Sequence, residues 1–296
     1  MRFVVTGGRG FIGSHFVEES LKRGIKIIDI DKMGYASHAS LPWDNDENYT
    51  LIQSDICNLN HLPPCDVVFN FAAESHVDNS ISDPGLFVKS NFCGVQNLLE
   101  LIRGKQKCDR PLFFHISTDE VYGDNLTGSF TEKDKLFPSN PYSATKAAAE
   151  MLIFAYGRTY NIKYMISRSS NNYGPRQFEE KLIPKCLSYL EEEVPMPIHG
   201  DGSYVRDWTY VKDNVDALFI ILEEGKSNGI YNVSAENTMT NLEVVDIVLE
   251  WAGKNRDYIK FVENRQGQDL RYSISSKKIK DLGWIPKHSR GLYKWF

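Results

Sequence analysis

Short apolar runs alternate with stretches of helical periodicity over the first 168 residues of this chain of 296 residues. Runs rich in β-branched and aromatic residues predict strands, and apolar positions three and four apart predict helices. The predicted strands cover 2–6, 25–30, 51–52, 67–71, 112–116 and 164–167, and the predicted helices cover 11–23, 84–103 and 141–160. Such alternation is typical of a parallel sheet with helices on both faces. We therefore predict an α/β fold built on a doubly wound parallel sheet.

The pattern changes after residue 168, where prolines separate shorter segments. These prolines are Pro175, Pro184, Pro195 and Pro197. Helical periodicity returns at 179–192 and 241–253, which predicts a smaller, mixed α/β region. We divide the chain into a first domain at 1–168, to which it returns near 205–233, and a second domain at 169–296. No long flexible linker separates them, so we expect a ligand-binding cleft between two tightly packed domains.

Charge and cysteine content narrow the possible functions. The formal net charge of −5 argues against a broad basic surface, so we expect no nucleic-acid partner. The five cysteines are odd in number and lack CxxC spacing, which indicates reduced thiols without a metal site or a disulfide framework. No apolar stretch approaches the length of about 20 residues that a membrane span needs, and no signal segment precedes the first strand. We expect a cytoplasmic protein without a membrane partner.

A glycine-rich turn follows the first predicted strand. Gly7, Gly10 and Gly13 form the pattern G-x-x-G-x-x-G, and Asp31 stands at the end of the next strand. Such glycines allow a tight turn and a close approach of a pyrophosphate to a helix N-terminus, which makes 1–168 a candidate Rossmann-type NAD-binding domain. A carboxylate at Asp31 can bind a ribose and repels a 2′-phosphate, which favours NAD over NADP. Lys32 leaves NADP as an alternative, because a cation there could tolerate the 2′-phosphate.

Two further strand ends are candidates for the same site. Asp55 and Ile56 follow the third strand and could meet an adenine edge, although Asp55 could equally be the N-cap of a helix. Phe71, Ala72 and Ala73 follow the fourth strand, where small residues suit close packing against a cofactor. The alternative there is a crowded strand end without a ligand.

The strongest candidates for chemistry lie between Ser117 and Lys146. Thr118, Asp119 and Glu120 follow a strand, at the edge of an open α/β sheet where ligands bind. Tyr142 and Lys146 are four residues apart on one predicted helix face, where the ammonium should lower the pKa of the phenol. Each group has an ordinary alternative, a solvated acidic turn or an exposed helical pair. Their occurrence together, after a dinucleotide motif, indicates redox chemistry coupled to an elimination.

At these residues the chain resembles the extended short-chain dehydrogenase/reductase superfamily, and more narrowly the nucleotide-sugar 4,6-dehydratases. The Thr-Asp-Glu triplet discriminates, because related epimerases and decarboxylases share Tyr-x-x-x-Lys but usually lack the adjacent acids. The resemblance covers nearly the whole chain, in the motifs TGGRGFIGS (6–14), FAAESHVDNSI (71–81), HISTDEVYG (115–123), NPYSATKAAAE (140–150), SSNNYGPRQF (169–178), EKLIP (180–184), PIHGDGSYVRDWTYV (197–211) and LGWIP (282–286).

The resemblance implies a role for each catalytic candidate. Tyr142, assisted by Lys146, takes the proton of the sugar 4-hydroxyl while NAD accepts the C4 hydride. Glu120 removes the C5 proton, and Asp119 protonates the 6-hydroxyl, which leaves as water. The hydride then returns to C6, and Glu120 reprotonates C5. Thr118 binds the 4-oxygen. The expected product is the 4-keto-6-deoxy sugar nucleotide, with the pKa values of Asp119 and Glu120 pushed apart.

The resemblance also implies two sets of contacts. The cofactor set is Gly7, Gly10, Phe11, Ile12, Gly13, Asp31, Lys32, Asp55, Ile56, Phe71, Ala72, Ala73, Ser75, Ser90, Ser117, Tyr142, Lys146 and Asn172. The substrate set is Ser75, Thr118, Asn171, Lys181, Leu182, Pro197, His199, Arg206, Asn241, Arg271 and Tyr272, in which any single cation could instead be a surface charge. His199 resembles a position near the base, and the choice between dTDP-glucose and UDP-glucose stays open.

Several features remain open. The segment 57–66 is shorter than in relatives, and Pro63 and Pro64 exclude a long helix there. The resemblance implies a homodimer formed through the helices at 84–103 and 141–160. The alternatives are an NAD-dependent nucleotide-sugar epimerase or decarboxylase on the same scaffold and a non-catalytic NAD-binding sensor.

Overall fold

A computed structural model describes residues 1–264, 267 and 269–294. Within these residues the main sheet has seven parallel strands in the spatial order β10-β6-β5-β4-β1-β2-β3. In chain order they are β1 (Arg2–Thr6), β2 (Lys26–Asp31), β3 (Tyr49–Gln53), β4 (Val67–Asn70), β5 (Leu112–Thr118), β6 (Tyr164–Ser169) and β10 (Gly229–Val233). The predicted doubly wound parallel sheet is therefore confirmed.

Helices cover both faces of this sheet. The helices are α1 (Phe11–Lys22), α2 (Val77–Ser82), α3 (Pro84–Phe87), α4 (Gly94–Arg103), α5 (Pro141–Tyr160), α6 (Leu182–Glu191), α7 (Val211–Glu224), α8 (Asn241–Ala252) and α9 (Lys277–Lys280). On one face Phe16 of α1 packs between Phe69 and Phe219, with ring centroids 4.3 and 5.0 Å away. On the other face α4 and α5 bury Leu98 and Ile153 against the sheet. The alternation of side chains along each strand supplies both cores.

A smaller, mixed α/β region lies beyond the main sheet. Its strands are β7 (Asn171–Tyr173), β8 (Met196–His199), β9 (Val205–Tyr210), β11 (Thr238–Thr240) and β12 (Ile259–Val262), in two small sheets ordered β11-β9-β7 and β12-β8. Tyr173, Trp208 and Val244 belong to its core. The chain leaves this region after β9, forms α7 on the main sheet, and supplies β10 as an edge strand beside β6.

The helical segment predicted at 84–103 has the predicted bounds, but its middle is a π-helical turn at Val88–Cys93 between α3 and α4. The helix predicted at 179–192 begins only at Leu182, because Lys181 is extended, and Pro184 then occupies the first turn, where no N–H is needed. The segment 57–66 holds no more than the end of a 3₁₀ turn at Ile56–Asn58.

None of the helices in the described part of the chain has the length and apolar character needed to cross a membrane.

Candidate functional site

The glycine-rich turn brings β1 and the start of α1 close to β4. Gly7 has φ of 72°, and a Cβ there would lie 2.6 Å from the backbone nitrogen of Ala72. A Cβ on Gly13 would lie 2.2 Å from the carbonyl oxygen of Gly7. At Gly10 the nearest atom would be 3.4 Å away, and Gly10 itself lines a cleft. Gly7 and Gly13 are thus required by backbone packing, whereas Gly10 leaves room for a ligand beside the helix N-terminus.

This first cleft runs along the carboxyl ends of β1, β2 and β4 and encloses about 690 Å³, part of it open to solvent. From the predicted cofactor set, its lining includes Gly7, Gly10, Asp31, Lys32, Asp55, Ile56, Phe71, Ala72, Ala73, Ser75 and Ser90. Phe11, Ile12 and Gly13 lie in α1 behind the turn, and Phe11 and Ile12 pack against the core of the smaller region. Ser90 reaches the cleft from the π-helical turn, a feature often found at functional sites.

The carboxylate of Asp31 is held rigidly at the end of β2. One oxygen accepts hydrogen bonds from the backbone nitrogen of Met33 and the hydroxyl of Ser37, each at 2.8 Å, and the other accepts from the backbone nitrogen of Arg9 at 3.1 Å. The ammonium of Lys32 forms an ion pair with Glu74, which lines the same cleft. Lys32, the cation that could have tolerated the phosphate of NADP, is thus paired with the carboxylate of Glu74. The remaining negative charge of Asp31 disfavours a 2′-phosphate.

Asp55 is the N-cap that the sequence offered as one alternative, and its position is compatible with the other. Its carboxylate accepts a hydrogen bond from the backbone nitrogen of Cys57 at 2.9 Å, as the N-cap of the 3₁₀ turn, and the residue also lines the first cleft. Ser117 does not follow the expectation of a cofactor contact. Its hydroxyl donates to the buried carboxylate of Glu150 at 2.5 Å, and Glu150 in turn pairs with Arg168. This buried cluster fixes the end of β5 beneath the catalytic candidates.

A second cleft of about 1240 Å³ adjoins the first, and Ser75 lines both. From the predicted substrate set its lining includes Ser75, Asn171, Lys181, Leu182, Pro197, His199, Arg206, Asn241 and Tyr272, together with Glu120 and Asn172. Thr118 and Arg271 are the exceptions, and Thr118 lies in the buried turn at the end of β5. Arg271 points elsewhere. Its guanidinium donates to the carbonyl oxygens of Asn125 and Gly128 at 2.8 and 2.9 Å, so it braces a loop and does not line the cleft. The prediction that Arg271 contacts substrate therefore lacks support in the geometry.

Thr118 and Asp119 form a compact turn at the end of β5. The Thr118 hydroxyl accepts from the backbone nitrogen of Glu120 and donates to an oxygen of Asp119, each at 3.2 Å. The other oxygen of Asp119 is buried without a hydrogen-bond partner. Burial, with the nearby carboxylates of Glu120 and Asp207, raises the pKa of Asp119 well above its ordinary value. Asp119 is therefore suited to hold a proton at neutral pH.

Glu120 faces the second cleft and has two polar neighbours. Its Oε2 lies 3.4 Å from the amide nitrogen of Asn140 and 3.5 Å from the hydroxyl of Tyr272. Burial raises the pKa of Glu120, while the charge of Arg206 and the hydrogen bond from Asn140 oppose the rise. Because Arg206 and Asn140 favour the carboxylate form, Glu120 is the better base of the two acids.

Tyr142 and Lys146 lie on α5, beside the turn at Asp119. The Tyr142 ring packs edge-on against Phe87 at a centroid distance of 6.3 Å. The Lys146 ammonium donates to the carbonyl oxygen of Ile116 at 2.6 Å, and burial lowers its pKa to about 8. Burial and the charges of Glu120 and Asp119 raise the pKa of Tyr142. The expectation of a phenol pKa lowered by Lys146 is wrong for this geometry, since desolvation outweighs the distant cation.

Several buried polar atoms along the second cleft have no partner in the protein. They are Oδ1 of Asn171, Oδ1 of Asn172, Oε1 of Gln177 and Nε1 of Trp208, in addition to the free oxygen of Asp119. An unpaired buried polar atom costs about 1–3 kcal/mol, so such atoms usually meet a ligand or water. They indicate a polar ligand in this cleft. Asn172, predicted beside the cofactor, lines this second cleft.

Among the residues of the site that sequence reasoning missed are Asn140, Gln177, Trp208 and Asp269. Asn140 carried a usable signal, because Asn before Pro at a helix start is a typical N-cap. The other three residues carried no signal in the sequence, since only the fold brings them to the cleft. Among the described residues, no group of three or more His, Cys, Asp or Glu side chains could hold a metal ion.

Comparison with known proteins gives consistent matches. The family model described as GDP-mannose 4,6 dehydratase matches residues 4–291. The low-salt glycan biosynthesis protein Agl12 of Haloferax volcanii is 43% identical, over 98% of this chain and 94% of its own. The dTDP-glucose 4,6-dehydratase of Neisseria gonorrhoeae is 41% identical, over 96% of this chain and 90% of its own.

Solved structures agree with these sequence matches. The dTDP-glucose 4,6-dehydratase DesIV of Streptomyces venezuelae, solved with NAD bound, superimposes with a TM-score of 0.93 at 37% identity, over 97% of this chain and 92% of that one. The UDP-glucuronic acid 4-epimerase of Bacillus cereus, also solved with NAD, gives a TM-score of 0.90 at 28% identity, over 97% and 94%.

Proposed function

Because this chain belongs to the nucleotide-sugar 4,6-dehydratases of the extended short-chain dehydrogenase/reductase superfamily, we propose that it dehydrates a nucleoside diphosphate-glucose to its 4-keto-6-deoxy product. The protein is an NAD-dependent hydro-lyase. The observation that carries the assignment of roles is the pair of adjacent carboxyl groups, Asp119 and Glu120, in the turn near Tyr142, of which Glu120 lines the second cleft. Asp119 is buried with a free oxygen and a raised pKa, while Glu120 faces the cleft beside Arg206.

The first cleft fits NAD. Gly10 leaves space at the start of α1, Asp31 presents an anchored carboxylate for a ribose, and Lys32 is neutralised by Glu74. When bound, NAD supplies the redox chemistry as the hydride acceptor for C4 and the hydride donor for C6. The residues that line the cleft bind and orient the dinucleotide, and Ser75 joins its site to that of the sugar.

Tyr142 receives the proton of the 4-hydroxyl, and Thr118 binds the same oxygen from the end of β5. The ammonium of Lys146 supplies a positive charge within the same buried site and favours the phenolate in the transition state. Because burial and the nearby carboxylates raise the pKa of Tyr142, the phenol must first give up its own proton to solvent, which the charge of Lys146 favours, before it accepts the proton of the 4-hydroxyl.

Glu120 and Asp119 carry out the elimination. The C5–H bond breaks and its proton moves to the carboxylate of Glu120, while the bond between C6 and its oxygen breaks and Asp119 gives a proton to the departing oxygen. The 4-ketone formed beforehand makes the C5 proton acidic enough for a carboxylate base. After the hydride has reached C6, Glu120 returns its proton to C5, and Asp119 must regain one before the next turnover.

The second cleft holds the sugar nucleotide. Lys181, Lys185 and Arg206 place cationic side chains along it for a diphosphate, and Asn171 offers a polar contact. We propose dTDP-glucose as the preferred substrate, because the dehydratases among the relatives are dTDP-glucose enzymes. UDP-glucose is the alternative that His199 leaves open.

The two rival functions make different demands on the site. An epimerase or decarboxylase on this scaffold needs Tyr142 and NAD but no elimination acid. The solved epimerases are 27–30% identical to this chain, below the 36–38% of the solved dehydratases. A non-catalytic NAD-binding sensor would gain nothing from a buried, protonated Asp119 beside Glu120, and such a costly pair is typical of active sites.

The test is a mass-spectrometric time course with dTDP-glucose and UDP-glucose in parallel, without added NAD. We expect a loss of about 18 mass units, one water, with the bound cofactor recycled. A change of stereochemistry without water loss would favour the epimerase. No change in either substrate, even after NAD is added, would contradict the proposed function.

The assembly, compartment and domain division are proposals as well. We propose a homodimer through α4 and α5, because Val88 and Met151 are 47% and 49% exposed along this helical surface. Static light scattering should give twice the monomer mass of 33.8 kDa.

The free cysteines suit a reducing compartment, and we propose the cytoplasm. We also propose that the NAD-binding domain spans 1–168, with a return of the chain near 205–233, and that the substrate domain spans 169–296.

A further inference from the structure

The hydroxyl of Tyr272 lies between two carboxyl groups. It is 2.5 Å from Oδ2 of Asp269 and 3.5 Å from Oε2 of Glu120. Tyr272 and Asp269 are 5% and 4% exposed, so both are shielded from solvent. Tyr272 belongs to the predicted substrate set, but none of the proton-transfer roles proposed for the dehydration uses this tyrosine or this aspartate. A buried phenol that bridges the proposed C5 base and a second carboxylate therefore requires an explanation.

The bridge is held in place by β9. The backbone nitrogen of Tyr272 donates to the carbonyl oxygen of Val205 at 3.2 Å. The guanidinium of Arg206 lies over the Tyr272 ring, 4.3 Å from its centroid, and donates to the backbone carbonyl of Asp269 at 2.9 Å. The ring and the aspartate are thus fixed against the same strand, and the hydroxyl has little freedom to move away from either carboxyl group.

A phenol has a single proton and can donate it to one oxygen at a time. The short distance shows that the Tyr272 proton points to Asp269, so the lone pairs of the hydroxyl face Glu120. An ionised Glu120 gains nothing from those lone pairs. A protonated Glu120 can donate its own proton to them, and its oxygen can still accept from Asn140. The bridge therefore favours the protonated form of Glu120.

The ionised form of Glu120 is stabilised by a different set of groups. Asn140 donates to it, and the positive charges of Arg206 and Lys181 act in the same direction. Opposing them, besides burial, are Asp269 and the adjacent Asp119. Glu120 is thus flanked by one set of groups suited to a base and another suited to the acid that it becomes after taking the C5 proton.

We propose that Tyr272 and Asp269 are a positioning pair that stabilises Glu120 while it holds the C5 proton, and so favours the transfer of that proton from C5 to Glu120. The inference rests on the proposed dehydratase function. In the forward step the C5–H bond breaks and an O–H bond forms on Glu120, and in the return step the O–H bond breaks and C5–H forms again. Tyr272 keeps its proton and Asp269 keeps its negative charge throughout.

The test follows the bound sugar nucleotide in a single turnover of Tyr272→Phe, quenched in acid and analysed by mass spectrometry. Oxidation alone lowers the substrate mass by about 2 units, oxidation with water loss by about 20, and completed turnover by about 18. We expect the species lighter by about 2 to accumulate, because protonated Glu120 loses a stabilising partner and removal of the C5 proton slows by about tenfold, as loss of a hydrogen bond to a charged or reacting group predicts.

Asp269→Asn gives a second measurement if Tyr272→Phe folds poorly, and we expect the same species in smaller amount. Tyr204→Phe is the matched control, because Tyr204 is a buried tyrosine beside β9 that lines neither cleft in the described part of the chain. Accumulation of the species lighter by about 20 would show that Tyr272 acts in the return of the proton to C5 instead. That result, unchanged turnover, or loss of the initial oxidation would each overturn the proposal. If the wild-type protein loses no water from either sugar nucleotide, the proposed function itself has failed.

Discussion

The side-chain amide of Asn140 lies 3.4 Å from Glu120, and the oxygen of the same amide accepts from the backbone nitrogen of Ser143 at 2.9 Å. One residue thus caps the helix that carries Tyr142 and Lys146 and also supports the proposed C5 base. The two halves of the chemistry, oxidation at C4 and elimination across C5 and C6, are positioned relative to each other through this single side chain.

Asn140→Ala should therefore weaken both structure and catalysis. Loss of the cap should lower the free energy of unfolding by about 1 kcal/mol. Loss of the donor to Glu120 should slow water loss more than C4 oxidation, which stopped-flow absorbance of the reduced cofactor and mass spectrometry measure separately. Thr240→Ala is the control, because Thr240 caps α8 through Glu243 in the same way without a contact to Glu120. Equal kinetic effects of the two variants would contradict the dual role.

Glu120→Gln should separate oxidation from elimination. An amide cannot take the C5 proton, so we expect kcat to fall by about 10²-fold or more while the C4 oxidation still occurs. Absorbance at the reduced-cofactor band should rise after substrate is mixed in and then persist. Tyr142→Phe should give no such rise, since the proton of the 4-hydroxyl then has no acceptor. Product formation by Glu120→Gln at the wild-type rate would refute the assignment of the base.

Asp119→Asn should slow water loss and stabilise the fold at neutral pH. The folded-state pKa of Asp119 is raised, so this carboxyl favours the folded state at low pH and costs stability as the pH rises above its unfolded value near 3.8. Asparagine never ionises, so we expect a gain in the free energy of unfolding of about 1–2 kcal/mol at pH 7. Denaturant titrations across pH measure it, and the gain should vanish below the unfolded pKa. A loss of stability at pH 7 would contradict the raised pKa.

The pH profile should report Lys146. Burial lowers its pKa to about 8, so the ammonium is present below that pH and lost above it. We expect kcat to fall on the alkaline side with an apparent pKa near this value. Lys146→Arg keeps its charge at any accessible pH, so the alkaline fall should move upward even if the maximal rate is lower. An unchanged alkaline limb in this variant would assign the titration to another group.

Glu74→Gln should relax the choice of cofactor. The variant leaves Lys32 unpaired at the edge of the first cleft, next to the position of a 2′-phosphate, while Asp31 remains. We expect the Kd for NADP to fall by about two- to fivefold and that for NAD to stay nearly constant, as measured by calorimetry on protein stripped of cofactor. In Lys32→Gln, the control, NADP binding should not improve. An unchanged Kd for NADP in Glu74→Gln would mean that Asp31, without the ion pair of Lys32, determines the choice between NAD and NADP.

The sequence was sufficient for the parts of the site that local chemistry dictates. Glycine spacing and strand ends predicted that Gly10, Asp31 and Ala72 would meet in one cleft, because parallel strands end at the same edge of a sheet. The bounds of the helical segment at 84–103 were predicted, but its π-helical turn was not, since apolar periodicity does not reveal such a turn. Asp269 and Trp208 reach the second cleft only through β9 and its neighbours.

The pKa of Tyr142 shows why spacing alone misleads. A lysine four residues away predicts a lowered pKa, but that inference assumes a solvated helix face. In the fold both side chains are buried, the Lys146 ammonium is bound to the carbonyl of Ile116, and two carboxyl groups stand nearby. Desolvation depends on everything that packs around the group, which no local pattern contains.

The edge strand β10 sets a condition on the biogenesis of this protein. A chain emerging from the ribosome can pair six strands once β6 has appeared, but β6 then presents an open edge until β7, β9 and α7 have been made and β10 arrives beside it. Open edges recruit strands from other chains. Nascent chains stalled or truncated between Ser169 and Gly229 should therefore be the aggregation-prone products of its synthesis and the ones that need a chaperone.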